Sequence, residues 1–377
     1  MAASFPQAGD ENVEVYLTSD TSEKILLHSY VLALHSKWFK ASLSERWNGG
    51  DAPHNDKNRW TYELRFDKDS AFGMLSRRAA ADVTSTTKTD TETISSKPPT
   101  TAKELHKERM ARVNAHKQML GALYHIIPTF SHESFDSART SIVLLAEAAD
   151  VYNCEQVIKI HTENHLRLYR NEVLDLCASD PVGMLELAMA IKSEWVFMEA
   201  STHLIGRSKY FFGRVKEKLR GMGLVDLFEE KRTQLKEKLS ACERDMFMIE
   251  NTSAKGWHAI VAMAYFRQWL SEELKSGAGS NLSQGYASLY HAIKRRAGGV
   301  HKASETGAVQ SFLDQLFSDA SPEDVASKLD EAFRRASVIV EPILKDVTRR
   351  QDKTDDPYRA LTFMGISDEE IPWAQKK

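Results

Sequence analysis

The amino-acid sequence predicts an α+β N-terminal domain, a small sheet capped by helices, followed by an all-α C-terminal region. Three patterns carry that expectation. Val13, Val15 and Leu17 alternate with polar residues, the period of a half-buried strand. Trp60, Tyr62, Leu64 and Phe66 do the same further on. From about Lys103 the apolar residues change to helical spacing, and Lys209 to Trp269 carries no strong strand signal.

The polar cluster Thr18 to Glu23 predicts a turn after the first strand, and Lys24 to Leu27 a second strand. Ser29 then reads as the N-cap of a helix carrying Val31, Leu32, Leu34, Phe39 and Leu43. Ser44 to Asn58 is polar and predicts a loop; Ala71 to Leu75 is apolar but too short to assign by period. Thr84 to Thr101 is mostly Ser and Thr, and such a composition cannot bury enough apolar surface to offset the entropy of ordering it. The expectation is a loop-like insertion at about 79–103. A helix with Met119, Leu120, Leu123 and Tyr124 follows, ending before Pro128, and then a helical stripe of Val143, Leu144, Ala148, Val151 and Val157. Further helices are expected around Leu174, Leu185 and Phe197, with a Gly/Ser break at 276–283. Phe312 to Phe317 and Pro322 to Val347 are the last predicted helices, Ser321 capping the latter with Pro322 at its first position. These breaks divide the chain into 1–168, 169–275 and 276–377.

The string NVEVYLTSDTSEKILLHSYVLALHSKWFKASL from Asn12 to Leu43 resembles the opening of the BTB/POZ domain, with His28, Leu32, Ser36 and Phe39 on the matching positions. Tyr124 at the end of one helix and Ala149 with Tyr152 in the next add to the resemblance, which covers about residues 12–165. The helical half with its Pro-Trp ending resembles the extension of many fungal BTB proteins. The resemblance implies a docking module with protein partners, a cullin-type ubiquitin ligase scaffold foremost. A transcriptional or chromatin-associated scaffold and a purely structural oligomeriser are the other binding roles. It makes His28 a structural residue at a strand-to-helix junction. It also implies a homodimer paired through the first strand and first helix, which puts Val15, Leu17 and Leu43 at a partner surface. Trp38, about 100° from the buried Phe39 position on a helix, is either an exposed aromatic anchor or a core residue packed under the C-terminal helices, and Tyr124, which closes the helix after the insertion, joins it as a partner-surface candidate.

Composition sets outer limits. At 377 residues there is room for two or three domains, and 42% hydrophobic with 27% charged residues is ordinary for a globular chain. A net charge of −3 offers no global attraction to nucleic acid or to an anionic membrane. Cys154, Cys177 and Cys242 form no CxxC pair, which points to reduced thiols in the cytoplasm or nucleus. The opening residues lack the basic and apolar regions of a secretory signal, and no apolar run approaches the ~18 residues that would span a bilayer.

Motifs for chemistry are sparse. His161 and His165 sit four apart, yet without a third ligand nearby the pair reads as a solvated helix face. Arg207 to Arg220 is basic with interleaved aromatics; Tyr210, Phe211 and Val215 are expected to pack inward, and acidic residues after Asp226 offset the charge. No phosphate-binding glycine frame, nucleophile elbow or repeat of 20 to 50 residues is present. The sequence therefore predicts neither catalytic residues, cofactor nor metal.

Overall fold

The computed structural model describes residues 5, 9–18, 24–44, 60–67, 70–77, 102–131, 134–250, 256–278, 282–298, 311, 322–349 and 361–374. The Ser/Thr-rich segment 84–101, Phe312 to Phe317, the Ser321 cap and nearly all of the Thr18 to Glu23 turn and the Ser44 to Asn58 loop lie outside those residues. The chain falls into two compact units, one of residues 1–170 with 190–193, the other of 171–189 with 194–377. Residues from 276 onward belong to the second unit.

The first unit is built on a mixed four-stranded sheet of β1 (Val13–Tyr16), β2 (Lys24–Leu27), β3 (Trp60–Phe66) and β4 (Gly73–Arg77). The strand order is β2-β1-β3-β4, with β1 antiparallel to β2, parallel to β3, and β3 antiparallel to β4. The apolar alternation is realised: Val13, Val15, Tyr62 and Leu75 are buried, while Glu14 and Arg65 lie on the outer side. The short run at 71–75 resolves into β4, and Gly73 is needed there because a Cβ would sit 2.6 Å from the Phe66 ring.

One helix was expected after His28, and two are found. α1 (Ser29–His35) and α2 (Lys37–Ser42) are separated by Ser36, which is extended and caps α2 through its Oγ, accepting from Phe39 N–H at 3.0 Å. Ser29 is not the cap; His28 holds that position without a side-chain bond. Instead the Ser29 N–H donates to Asn12 Oδ1 and its Oγ accepts from Asn12 Nδ2, both at 2.8 Å. Leu34, two residues and so about 200° around α1 from the buried Leu32, lies outside the stripe and is largely exposed, whereas Leu32 and Phe39 are buried.

The helical cover consists of α3 (Ala102–Leu123), α4 (Phe135–Val151) and α5 (Glu155–Leu168). The inner stripe of α4 is Ile142, Leu145, Ala146 and Ala149, not the Val143 and Leu144 expected. Val157 belongs to the next helix, since Asn153 turns left-handed (φ 51°) and ends α4. Tyr152, fully buried at that end, accepts the Leu75 N–H at 2.7 Å with its hydroxyl, and its carbonyl accepts the Ser36 Oγ–H at 2.6 Å. Its ring stacks on Phe39, 5.8 Å between centroids, and meets Trp38 and His116 edge-on.

The second unit carries no strand among its described residues. It comprises α6 (Arg170–Ser179), α7 (Pro181–Ile191), α8 (Glu194–Ile205), α9 (Lys209–Gly221), α10 (Val225–Phe247), α11 (Trp257–Ala278), α12 (Leu282–Ala297) and α13 (Pro322–Leu344), apart from Arg170 and residues 190–191, which count with the first unit. Arg232 closes the end of α8 by donating to the Ile205 and Arg207 carbonyls at 3.0 and 2.6 Å while lying over Phe212. Gly223, at φ +70°, makes the turn between α9 and α10 where a side chain would strain the backbone. Phe266, Trp269 and Phe333 pack α11 against α13, with the Arg296 guanidinium 4.3 Å from the Trp269 ring centre. The last described segment, Leu361 to Ala374, folds back on α8 and α10.

In the basic run, Phe212 and Leu219 are the buried positions and Tyr210 is exposed, the reverse of the expectation for Tyr210. Lys216, Lys218 and Arg220 pair with Glu229, Glu186 and Glu217. His165 is also not solvated: it is buried between Phe130 and Tyr169. All three cysteines are free and buried, and burial pushes the Cys154 thiol up to about 12 and Cys242 to about 11.

Two outcomes follow. Tyr152→Phe leaves the Leu75 N–H buried without its acceptor and should cost about 1–3 kcal/mol by urea titration. His116 is buried against Tyr152, and because a carbonyl only accepts, its Nδ1 carries the proton bonded to Arg112 O at 2.8 Å. Burial holds its pKa below the ordinary 6.5. Its depressed folded-state pKa makes stability full above about pH 6.5 and lost progressively as the pH falls below it. His116→Gln should flatten the acid limb of a Tm-against-pH curve.

Candidate docking surface

The junction of β2 and α1 is held by His28. Its backbone N–H donates to the Tyr124 hydroxyl, which lies 3.1 Å from His28 Nδ1, and its Nε2 is 2.9 Å from Asp10 Oδ1. The hydroxyl accepts from the backbone and gives its own proton to Nδ1, so Nε2 carries the proton donated to Asp10. That bond lowers the Asp10 pKa. Asp10, Glu11 and His28 bring one ligand atom each within 4.8 Å of one another, the cation-sized grouping found among the described residues. Their atoms are engaged already: Glu11 also accepts the Gly9 N–H at 3.1 Å. The arrangement works as a fastening of the chain start to α1.

The five residues expected at a partner surface do not form one. Val15 and Leu17 are buried inside the domain's own core, at 0% and 5% exposure. β1 is moreover an inner strand, its backbone edges taken by β2 and β3, so it has no free edge for a second copy. Trp38 is half-buried and packs edge-on to Phe39 and Tyr152, with ring centroids 4.9 and 5.1 Å apart. It belongs to the aromatic core rather than to an exposed anchor. Leu43 is half-buried at the end of α2, and the Tyr124 hydroxyl is committed to His28.

The exposed apolar groups are others. On α1, Tyr30 is 75% and Leu34 62% exposed, one turn apart and so on one face. α1 packs on α3, and the turn that ends α3 carries Ile127, 69% exposed. His125 in that turn is left-handed (φ 58°) and meets His35 of α1 edge-on at 5.6 Å. His161 of α5 lies close enough to feel the charge of His125; partial burial first, and that charge second, lower its pKa. Tyr30 and Leu34 thus form an exposed apolar face on α1, and the His35–His125 contact brings α1 against the turn that carries the exposed Ile127. Apolar groups with a polar rim are what a protein partner covers. The i, i+4 spacing of Tyr30 and Leu34 was the available sequence signal, hidden because Leu34 was assigned to the inner stripe.

A concavity of about 460 Å³ opens at the ends of the parallel pair β1 and β3, lined by Leu17, Thr18, Phe66, Arg109 and Met110 among others. Its cation is spent on structure, since Arg109 donates to the Asp67 and Ser70 carbonyls and lies over Phe66. No described helix is long and apolar enough to cross a membrane.

The two classes of residue should separate on substitution. Leu34→Ala should leave stability within about 0.5 kcal/mol, whereas Trp38→Ala should cost about 1–3 kcal/mol; chemical denaturation of both variants checks this.

Compared with known proteins, the chain matches no family model, no curated protein and no solved structure.

Proposed function

We propose that this chain is a protein-interaction adaptor whose first unit docks a protein partner through the exposed face of α1 and the turn after α3. The observation that supports the reading is the exposed apolar face of Tyr30 and Leu34 on α1, a helix fastened at both ends and packed on α3, whose closing turn exposes Ile127. The BTB/POZ resemblance lends it direction, because each residue that carries the resemblance has a structural part to play. His28 pins the junction, Leu32 and Phe39 fill the core, and Ser36 joins α2 to Tyr152. By that resemblance the partner is a cullin-type scaffold, and the chain is a substrate adaptor of a ubiquitin ligase.

The test is calorimetric titration of the full chain with the purified N-terminal region of a cullin, run beside light scattering of the chain alone. The expected result is binding at a Kd tighter than about 10 µM, weakened at least tenfold by the Tyr30→Ala, Leu34→Ala double variant, about 1.4 kcal/mol. Self-association that the same variant abolishes would instead favour the structural oligomeriser. Absence of both at about 100 µM protein would sink the docking reading, since a Kd of 1 mM corresponds to only about 4 kcal/mol.

A further inference from the structure

The second unit is closed by its own C-terminal strap. Leaving α13, the chain donates the Arg349 N–H to Glu199 of α8 at 2.9 Å and the Val347 N–H to the Thr362 carbonyl at 3.1 Å. Leu361, Met364, Ile366 and Ile371 are buried, and Gly365 passes so near Thr202 that a Cβ would stand 3.3 Å from its hydroxyl. The far part of the strap, after Ile366, has fastenings of its own. Glu370 bridges to Lys231 of α10 at 2.7 Å, Ile371 is inserted, and Trp373 meets Phe197 of α8 edge-on at 5.2 Å.

Ser367 stands at the hinge of these two parts. It is exposed, and Asp368, Glu369 and Glu370 follow it directly. Its Oγ–H and its N–H both donate to one oxygen of Glu370, at 3.0 and 2.9 Å, forming a capping box around the 3-10 turn Asp368–Glu370. The other Glu370 oxygen is the one held by Lys231. One carboxylate therefore closes the turn and fastens the strap at once.

We propose that Ser367 is a phosphorylation site for an acid-directed serine kinase, and that its phosphorylation lifts Ser367 to Ala374 off α8 and α10. The three acidic residues after the hydroxyl present the charge that a basic substrate groove selects. Transfer from ATP forms the Oγ–P bond, breaks the bond from the γ-phosphorus to the β–γ bridging oxygen, and releases ADP. The hydroxyl proton passes to the base of the kinase. The product has lost the Oγ–H donor and places a charge of about −1.5 to −2 against Glu370. Lys231 carries a single charge, already shared with Glu370, and cannot balance both. The capping box and the ion pair fail together, because they use the same carboxylate.

The test treats the full chain with a recombinant acidophilic serine kinase and magnesium ATP, maps phosphate by mass spectrometry, and follows amide exchange. The expected result is phosphate on Ser367 and exchange at least about tenfold faster at Ile371 and Ala374. Ser367→Ala takes no phosphate there and keeps exchange within about threefold, since it loses one solvent-exposed hydrogen bond, keeps the Ser367 N–H bond to Glu370 and gains no charge. Lys231→Ala, which needs no kinase, should speed the same amides. No phosphate at Ser367, or a phosphorylated chain whose strap exchanges no faster, overturns the proposal. So would an unchanged strap in the Lys231 variant.

Discussion

The first unit depends on the buried Tyr152. Its hydroxyl satisfies a backbone N–H of β4, its carbonyl receives Ser36, and its ring supports Phe39 and Trp38. Segments from distant parts of the sequence thereby meet on one residue. Each bond is buried, so water cannot replace it, and an unmade bond there costs more than a made one contributes. The helix break at Ser36 follows from the same constraint. A continuous helix would carry the Ser36 backbone past Tyr152, whereas the extended residue turns its hydroxyl to the Tyr152 carbonyl and to the Phe39 N–H.

The spacing on α1 decides which of its residues reach solvent. Leu32 and Phe39 go inward, while Tyr30 and Leu34, two positions either side of Leu32 and so about 200° around the helix from it, are left outside. His28 and Tyr124 fix the start of α1 as firmly as Ser36 fixes its end, so the exposed face is presented by a rigid scaffold. A preorganised face loses little conformational freedom when a partner covers it.

The second unit shows another economy of polar groups. Glu199 on α8 is buried, accepts the Arg349 N–H, and has His203 one turn away, 3.6 Å between Nε2 and Oε1. Arg232 closes the end of the same helix. α8 is thus the seat on which the C-terminal strap rests, with charged groups supplying direction where apolar contact alone would allow sliding.

Much of the local structure was legible in the sequence, because strand alternation and helical spacing are properties of neighbouring residues. β1, β2 and β3 lie where their periods put them, and His28 has the junction role expected of it. Long-range contacts decided the rest. Nothing within ten residues of Ser36 announces that its partner is Tyr152, and nothing near Val15 says that β1 will be flanked on both sides. His165 has a surface-like spacing yet is buried by Phe130, thirty-five positions away in sequence. The sequence by itself determined the coarse fold class, a small N-terminal sheet followed by helices, and the places of most elements, since short-range periodicity encodes them. Only the tertiary structure decided which apolar residues face solvent, since that depends on which distant segments pack against them.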